Sequence, residues 1–187
     1  MYTLYISPGS SSLAAHIALR EVGAEFALKP VPIADKATRT PAYLAINPEG
    51  KVPALLIEGR VLTEVAGILW YLARRHPEAG LLPAGDAEAE ARVVSWMSFL
   101  ASAVHPAIRQ GAEHAREIWS IAERRMAGRE WVMGTQYSIA DIHLFRLFWR
   151  FKGPAELTPE AYPALTAHLQ RMLARPAVQA AMAAEGV

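Results

Sequence analysis

The sequence predicts a small α/β domain followed by an all-α domain. Three observations carry this reading. Strand-like and helix-like segments run in the order β-α-β, a loop, then β-β-α as far as His76. The stretch HPEAGLLPAGD then places two prolines and two glycines in eleven residues, the composition of a linker. Beyond it apolar residues recur at helical spacing, and no segment reads convincingly as a strand.

Taken in order, YTLYI at residues 2–6 reads as a short strand. Leu13 and Ile17 stand four apart with Ala14 and Ala18 beside them, which is one helical face, and Gly23 stops that helix. FALKPVPI reads as a second strand whose prolines suit an edge or a strand end. ADKATRTPAYLAINPEG is polar and proline-punctuated, irregular apart from one helical turn near Tyr43–Ala45. VPALLIEGRVL is two short strands about a Glu-Gly turn. A helix is expected from Thr63, with Val65, Ile68, Leu69 and Leu72 as its apolar face and Arg74, Arg75 and His76 suiting the negative end of its dipole.

After the linker, a long helix is expected from Ala87 to about Gln110, with Val93, Val94, Trp96, Met97, Leu100 and Val104 along it. A second runs from Ala112 to Met126 and a third from Ser138 to Phe151. Tyr162 to Ala183 holds one or two more, the chain restarting at Arg175-Pro176. Ser138-Ile-Ala-Asp141 is a capping box with Asp in the acid position, read as a folding element.

Composition narrows the function. Of 187 residues 52% are hydrophobic, enough for a real core. The formal charge of +1 asks for neither nucleic acid nor an anionic membrane. No apolar run is long enough to span a bilayer, and the N-terminus lacks a signal-like pattern, so a cytoplasmic protein is expected. There is no cysteine, which removes a disulfide scaffold, a thiolate zinc site and any cysteine nucleophile. The six histidines show no metal-site spacing, so no metal is expected.

INPEGKVPAL, LTEVAGILWYLA, FLASAVH and SIADIHLF, in this order, resemble a cytosolic glutathione transferase over nearly the whole chain. The bacterial beta class is the nearest match. That class opens Pro-Gly-Ser-Cys-Ser-Leu, where this chain has PGSSSL. The resemblance implies a thioredoxin-like domain over residues 1–78, a linker over 79–85 and an all-α domain over 86–187. It implies that glutathione and a small electrophile meet in the cleft between domains, with no cofactor beyond the thiol co-substrate. It also implies a homodimer, formed by the Glu64–Arg75 helix and the long helix after Ala87, with Trp70, Trp96 and Met97 near that surface or in the core beneath it.

Site residues follow from the matched motifs. Ser11 replaces the beta-class cysteine, and Ser10 is the first serine after Pro-Gly, the donor position of classes that use serine. A free thiol ionises near about 8.5, so a helix N-terminus and one donated hydroxyl proton would favour the thiolate. In the family Pro53 is cis, which turns the Val52 backbone outward to pair with the cysteinyl part of the tripeptide. Lys51 is placed for the glycyl carboxylate. Glu64, expected in the first helical turn, is placed for the γ-glutamyl ammonium, and the helix N-terminus at Val65 for the γ-glutamyl carboxylate. The family usually has Ser at position 65, so a hydroxyl contact is lost here. His105 is a secondary site residue, and Tyr5 a minor candidate. Two rival readings share the fold: a ligand-binding protein with little turnover, and an interaction module that has kept only the scaffold.

Overall fold

Tyr2–Ile6 forms β1, Ser12–Glu21 forms α1 and Phe26–Pro30 forms β2 in the computed structural model, which describes residues 1–187. The two strands pair in parallel across the α1 crossover, and β2 is an edge strand, which suits its terminal proline. α1 ends in a Schellman motif. The Ala24 N–H reaches the Leu19 carbonyl, the Gly23 N–H reaches that of Arg20, and Gly23 supplies the positive φ of 62°. After a 3₁₀ turn at Ala37–Arg39 comes α2, Pro41–Leu44, capped by the Thr40 hydroxyl. β3 (Ala54–Ile57) and β4 (Arg60–Thr63) form the expected hairpin, and α3 runs Val65–Arg75. The sheet order is β2-β1-β3-β4, a mixed four-stranded sheet of thioredoxin-like form.

Register decides which loops meet. Tyr5 stands opposite Ala54, and Ala54 opposite Thr63. The end of β1, the start of β3 and the end of β4 therefore lie at one edge of the sheet. The serine stretch, Val52-Pro53 and Glu64-Val65 are the residues just beyond those three points. Helix α3 starts two residues later than the expected Thr63. Thr63 is held in the ladder opposite Ala54, and Glu64 has a positive φ, so neither can be helical.

In the second unit α4 (Ala87–Phe99) passes through a π-helical turn, Leu100–Val104, into a short α5, His105–Ala107, and a 3₁₀ turn, Ile108–Gln110. The expected single helix is thus interrupted. Pro106 has no N–H to offer the Ser102 carbonyl and its ring displaces that carbonyl, so the ladder widens just before it. α6 is Ala112–Met126, α7 Ile139–Phe151 and α8 Pro163–Leu173. α7 is the core helix, buried from Ile139 to Phe148, with Phe148 edge-on to Trp119 of α6. Trp96 and Met97 are also buried.

Helix α9, Pro176–Glu185, departs from the expected division. The chain divides into Met1–Ala79 with Pro176–Val187, and Gly80–Arg175. The sequence assigns α9 to an all-α domain over 86–187, but its apolar side, with Val178 and Ala181 buried, packs on α1. Helical periodicity shows that a helix has an apolar face and says nothing about which neighbour covers it.

Candidate active site

Ser7, Pro8, Gly9 and Ser10 form a β-turn closed by the Ser10 N–H on the Ser7 carbonyl at 3.0 Å. Proline at its second position and Gly9 with φ 66° at its third are the residues a type II turn requires. Beyond it the three serines separate. Ser12 is fully buried, donates its hydroxyl proton to the Ser7 carbonyl at 3.2 Å and accepts from the Ser7 N–H at 3.1 Å. With that proton spent, the 2.9 Å contact between the Ser10 and Ser12 hydroxyls needs Ser10 as donor. Ser10 also accepts from the Ser12 N–H at 3.3 Å. Ser11 is the residue at the α1 N-cap, yet its backbone is already helical and its hydroxyl caps no amide. Ser10 and Ser12 are therefore committed to shaping the turn, and Ser11 alone keeps a hydroxyl outside that network.

At the start of β3 the Val52–Pro53 peptide bond is cis. The residue before it is clamped: the Lys51 carbonyl accepts from the Tyr43 hydroxyl at 2.6 Å and from the Asn47 side-chain amide at 2.8 Å. Asn47 itself opens the Asn-Pro-Glu-Gly turn, with the Gly50 N–H on its carbonyl and the Glu49 N–H on its side-chain oxygen. Burial pushes the Tyr43 hydroxyl up to about 12, against the opposing effect of Asn47. The Val52 side chain packs with Tyr5, Val31, Tyr43 and Ala54, while its N–H and carbonyl form no hydrogen bond within the protein. The Lys51 ammonium is exposed and pairs with Glu49 at 2.8 Å.

Glu64 is the N-cap of α3, one residue before the first turn where the sequence places it. It is exposed and has φ 65° and ψ 128°, a conformation that costs a non-glycine residue about 1–3 kcal/mol. Its carboxylate caps nothing. The first intrahelical bond runs from the Ile68 N–H to the Glu64 carbonyl, which leaves the amides of Val65, Ala66 and Gly67 without an intrahelical acceptor. Three amides at the positive end of a helix form an anion site, and an acid stands beside it. The Val65 side chain points inward and is buried.

The glutathione S-transferase N-terminal domain family matches residues 10–75, and the glutathione S-transferase C-terminal domain family matches residues 94–176. The chain belongs to the glutathione S-transferase family. It is 33% identical to Glutathione S-transferase GstA of Escherichia coli O157:H7, with 98% of each chain covered. A glutathione transferase homologue from Sulfitobacter, solved with bound glutathione, matches with a TM-score of 0.94 at 32% identity over 100% of this chain and 99% of that one. The beta-class glutathione S-transferase of Sphingomonas chungbukensis matches with a TM-score of 0.86 at 37% identity over 98% of both.

Within this glutathione S-transferase the first unit brings Ser10, Ser11, Lys51, Val52, Pro53, Glu64 and Val65 to one edge of its sheet. His105 belongs to the second unit, where it is half-buried with its ring 5.9 Å from that of Phe151. Tyr5 is a core residue, edge-on to Tyr43. Sequence reasoning missed Tyr43 and Asn47, whose signal lay in the Asn-Pro-Glu-Gly turn, and it missed His16 and Glu185 altogether. No helix of the protein is long and apolar enough to cross a membrane.

Proposed function

We propose that the protein binds glutathione as its thiolate and transfers the sulfur to a small electrophile. The observation that carries this is the convergence, at one sheet edge, of an uncommitted Ser11 hydroxyl, an unpaired Val52 backbone and three open amides beside Glu64. These suit the thiol, the peptide backbone and the charged γ-glutamyl end of glutathione in turn. Lys51 is the candidate for the glycyl carboxylate, for which Glu49, paired with it at 2.8 Å, competes.

The sulfur is the nucleophile. Its proton leaves to solvent, because a serine hydroxyl is too weak a base to take it. The thiolate then accepts a hydrogen bond from Ser11 and attacks the electrophilic carbon, and the leaving group departs with its electron pair. A charge-assisted hydrogen bond of about 1.5–3 kcal/mol lowers a thiol pKa by about one to two units. With no cysteine in the chain, a mixed disulfide between glutathione and the protein is excluded. The reaction as written uses no cofactor beyond the thiol, and it belongs in the cytoplasm, where glutathione is kept reduced.

The absorbance of bound thiolate, titrated with pH, tests the assignment. Ser11→Ala should return the thiol pKa toward its solution value. Ser10→Ala should loosen the turn with a smaller direct effect. If neither moves it, the serines are structural only. Turnover of a generic aryl halide separates the transferase from a binding protein.

The homodimer belongs to the same reading. The Glu64–Arg75 helix and the long helix after Ala87 would meet a two-fold copy. Sedimentation at micromolar concentration should give a dimer, and a monomer would count against it.

A further inference from the structure

The Gly9 N–H is the central amide of the turn that presents the serines, and a turn does not satisfy that amide itself. Here it donates to Glu185 Oε2 at 2.9 Å, a carboxylate from the last turn of α9. Glu185 Oε1 lies 2.9 Å from His16 Nδ1, with both side chains fully buried. Arg20 Nε donates to His16 Nε2 at 3.0 Å. An arginine has no acceptor, so His16 Nε2 must carry the lone pair and Nδ1 the proton. His16 is thus a neutral tautomer that donates to Glu185. Phe26 sits edge-on to the imidazole, ring centroids 5.5 Å apart, and fixes its plane. Every proton in the chain Arg20, His16, Glu185, Gly9 has one assignment, and it ends one residue before Ser10.

We propose that Glu185, oriented by His16, is a positioning residue for the Ser10–Ser11 hydroxyls. By holding the Pro8–Gly9 peptide in its type II orientation, it fixes where the residues leaving the turn begin α1. The C-terminal helix thereby becomes part of the thiol site without touching the ligand. This rests on the reading that Ser11 serves the glutathione sulfur.

Glu185→Gln keeps the shape but offers one acceptor where two N–H groups each need one. Either the amide opposes the Gly9 N–H, or it opposes His16 Nδ1–H, whose proton cannot move to Nε2 without facing Arg20. Hydrogen exchange at the Gly9 and Ser10 amides should speed up about tenfold or more, the loss of one charge-assisted bond. Bound glutathione should titrate at higher pH and dissociate about tenfold more readily. His16→Asn, whose side-chain amide can replace Nδ1–H as donor, should keep both properties near wild type. If Glu185→Gln does not fold, as judged by near-ultraviolet circular dichroism, His16→Leu is measured in the same assays, with the same direction expected.

Unchanged exchange at Gly9 in the variant overturns the proposal. So does faster exchange with unchanged thiol titration and affinity, since Glu185 would then be structural only. Wild-type protein that leaves the glutathione thiol at its solution pKa overturns the serine reading and this proposal together. Normal wild-type titration with an indifferent Glu185→Gln overturns the proposal alone.

Discussion

The Tyr43 hydroxyl donates to the Lys51 carbonyl at 2.6 Å and so fixes the residue that precedes Val52. Asn47 reaches the same oxygen, so the carbonyl has two donors and each bond is separable. Tyr43→Phe should cost about 1 kcal/mol of stability, the net worth of one such bond. Glutathione binding should weaken by severalfold, because the segment expected to pair with the tripeptide becomes looser. Urea denaturation and titration calorimetry on one preparation check the two effects. Unchanged affinity would mean that the clamp serves the fold alone.

Asp141 is fully buried and accepts four hydrogen bonds, from the Ser138 N–H and hydroxyl, the Val132 N–H and His168 Nε2. It ties the start of α7 to the preceding loop and to α8. Asp141→Ala leaves several buried donors without partners and should cost about 3 kcal/mol or more. Ser138→Ala removes one member of the box and should cost about 0.5–2 kcal/mol. Chemical denaturation should rank them in that order, with glutathione affinity of the folded protein little changed in either.

Glu64→Gly should separate stability from binding. Glycine adopts a positive φ without the Cβ penalty, so the variant should be at least as stable as wild type, by up to about 1 kcal/mol. Loss of the carboxylate should weaken glutathione binding. A lower melting temperature with unchanged affinity would refute the functional account of this strained residue.

His143 gives a prediction in pH. Its burial, with Arg146 and His105 as positive neighbours, pushes the imidazole down to about 3. The unfolded chain takes up this proton below about 6.5 and the folded chain does not. The stability it contributes is therefore intact above about 6.5 and lost as pH falls toward 3, by at most about 1.4 kcal/mol per unit. Wild-type stability minus that of His143→Gln, from urea midpoints, should shrink across this window. A constant difference would contradict the assignment.

The order of elements was legible in the sequence because it rests on local chemistry. YTLYI marked β1, Gly23 marked the end of α1 and Pro176 marked the restart of the chain, whereas the break at Pro106 fell inside a segment that reads as one long helix. Family motifs supplied the candidate residues: PGSSSL, INPEGKVPAL and LTEV named Ser10, Ser11, Lys51, Val52, Pro53, Glu64 and Val65. Tertiary structure decided what each residue was free to do. Only the turn closed by Ser7 showed that Ser10 and Ser12 spend their protons on each other and on the backbone, leaving Ser11. Only the register of β3 with β1 and β4 put Val52 and Glu64 at the same edge as the serines. Partners distant along the chain were invisible in the sequence. Glu185 is 176 residues from Gly9, and nothing local distinguishes it from a solvated acid at a helix end. Periodicity and capping are written in neighbouring residues, whereas a hydrogen bond between chain ends depends on how helices pack.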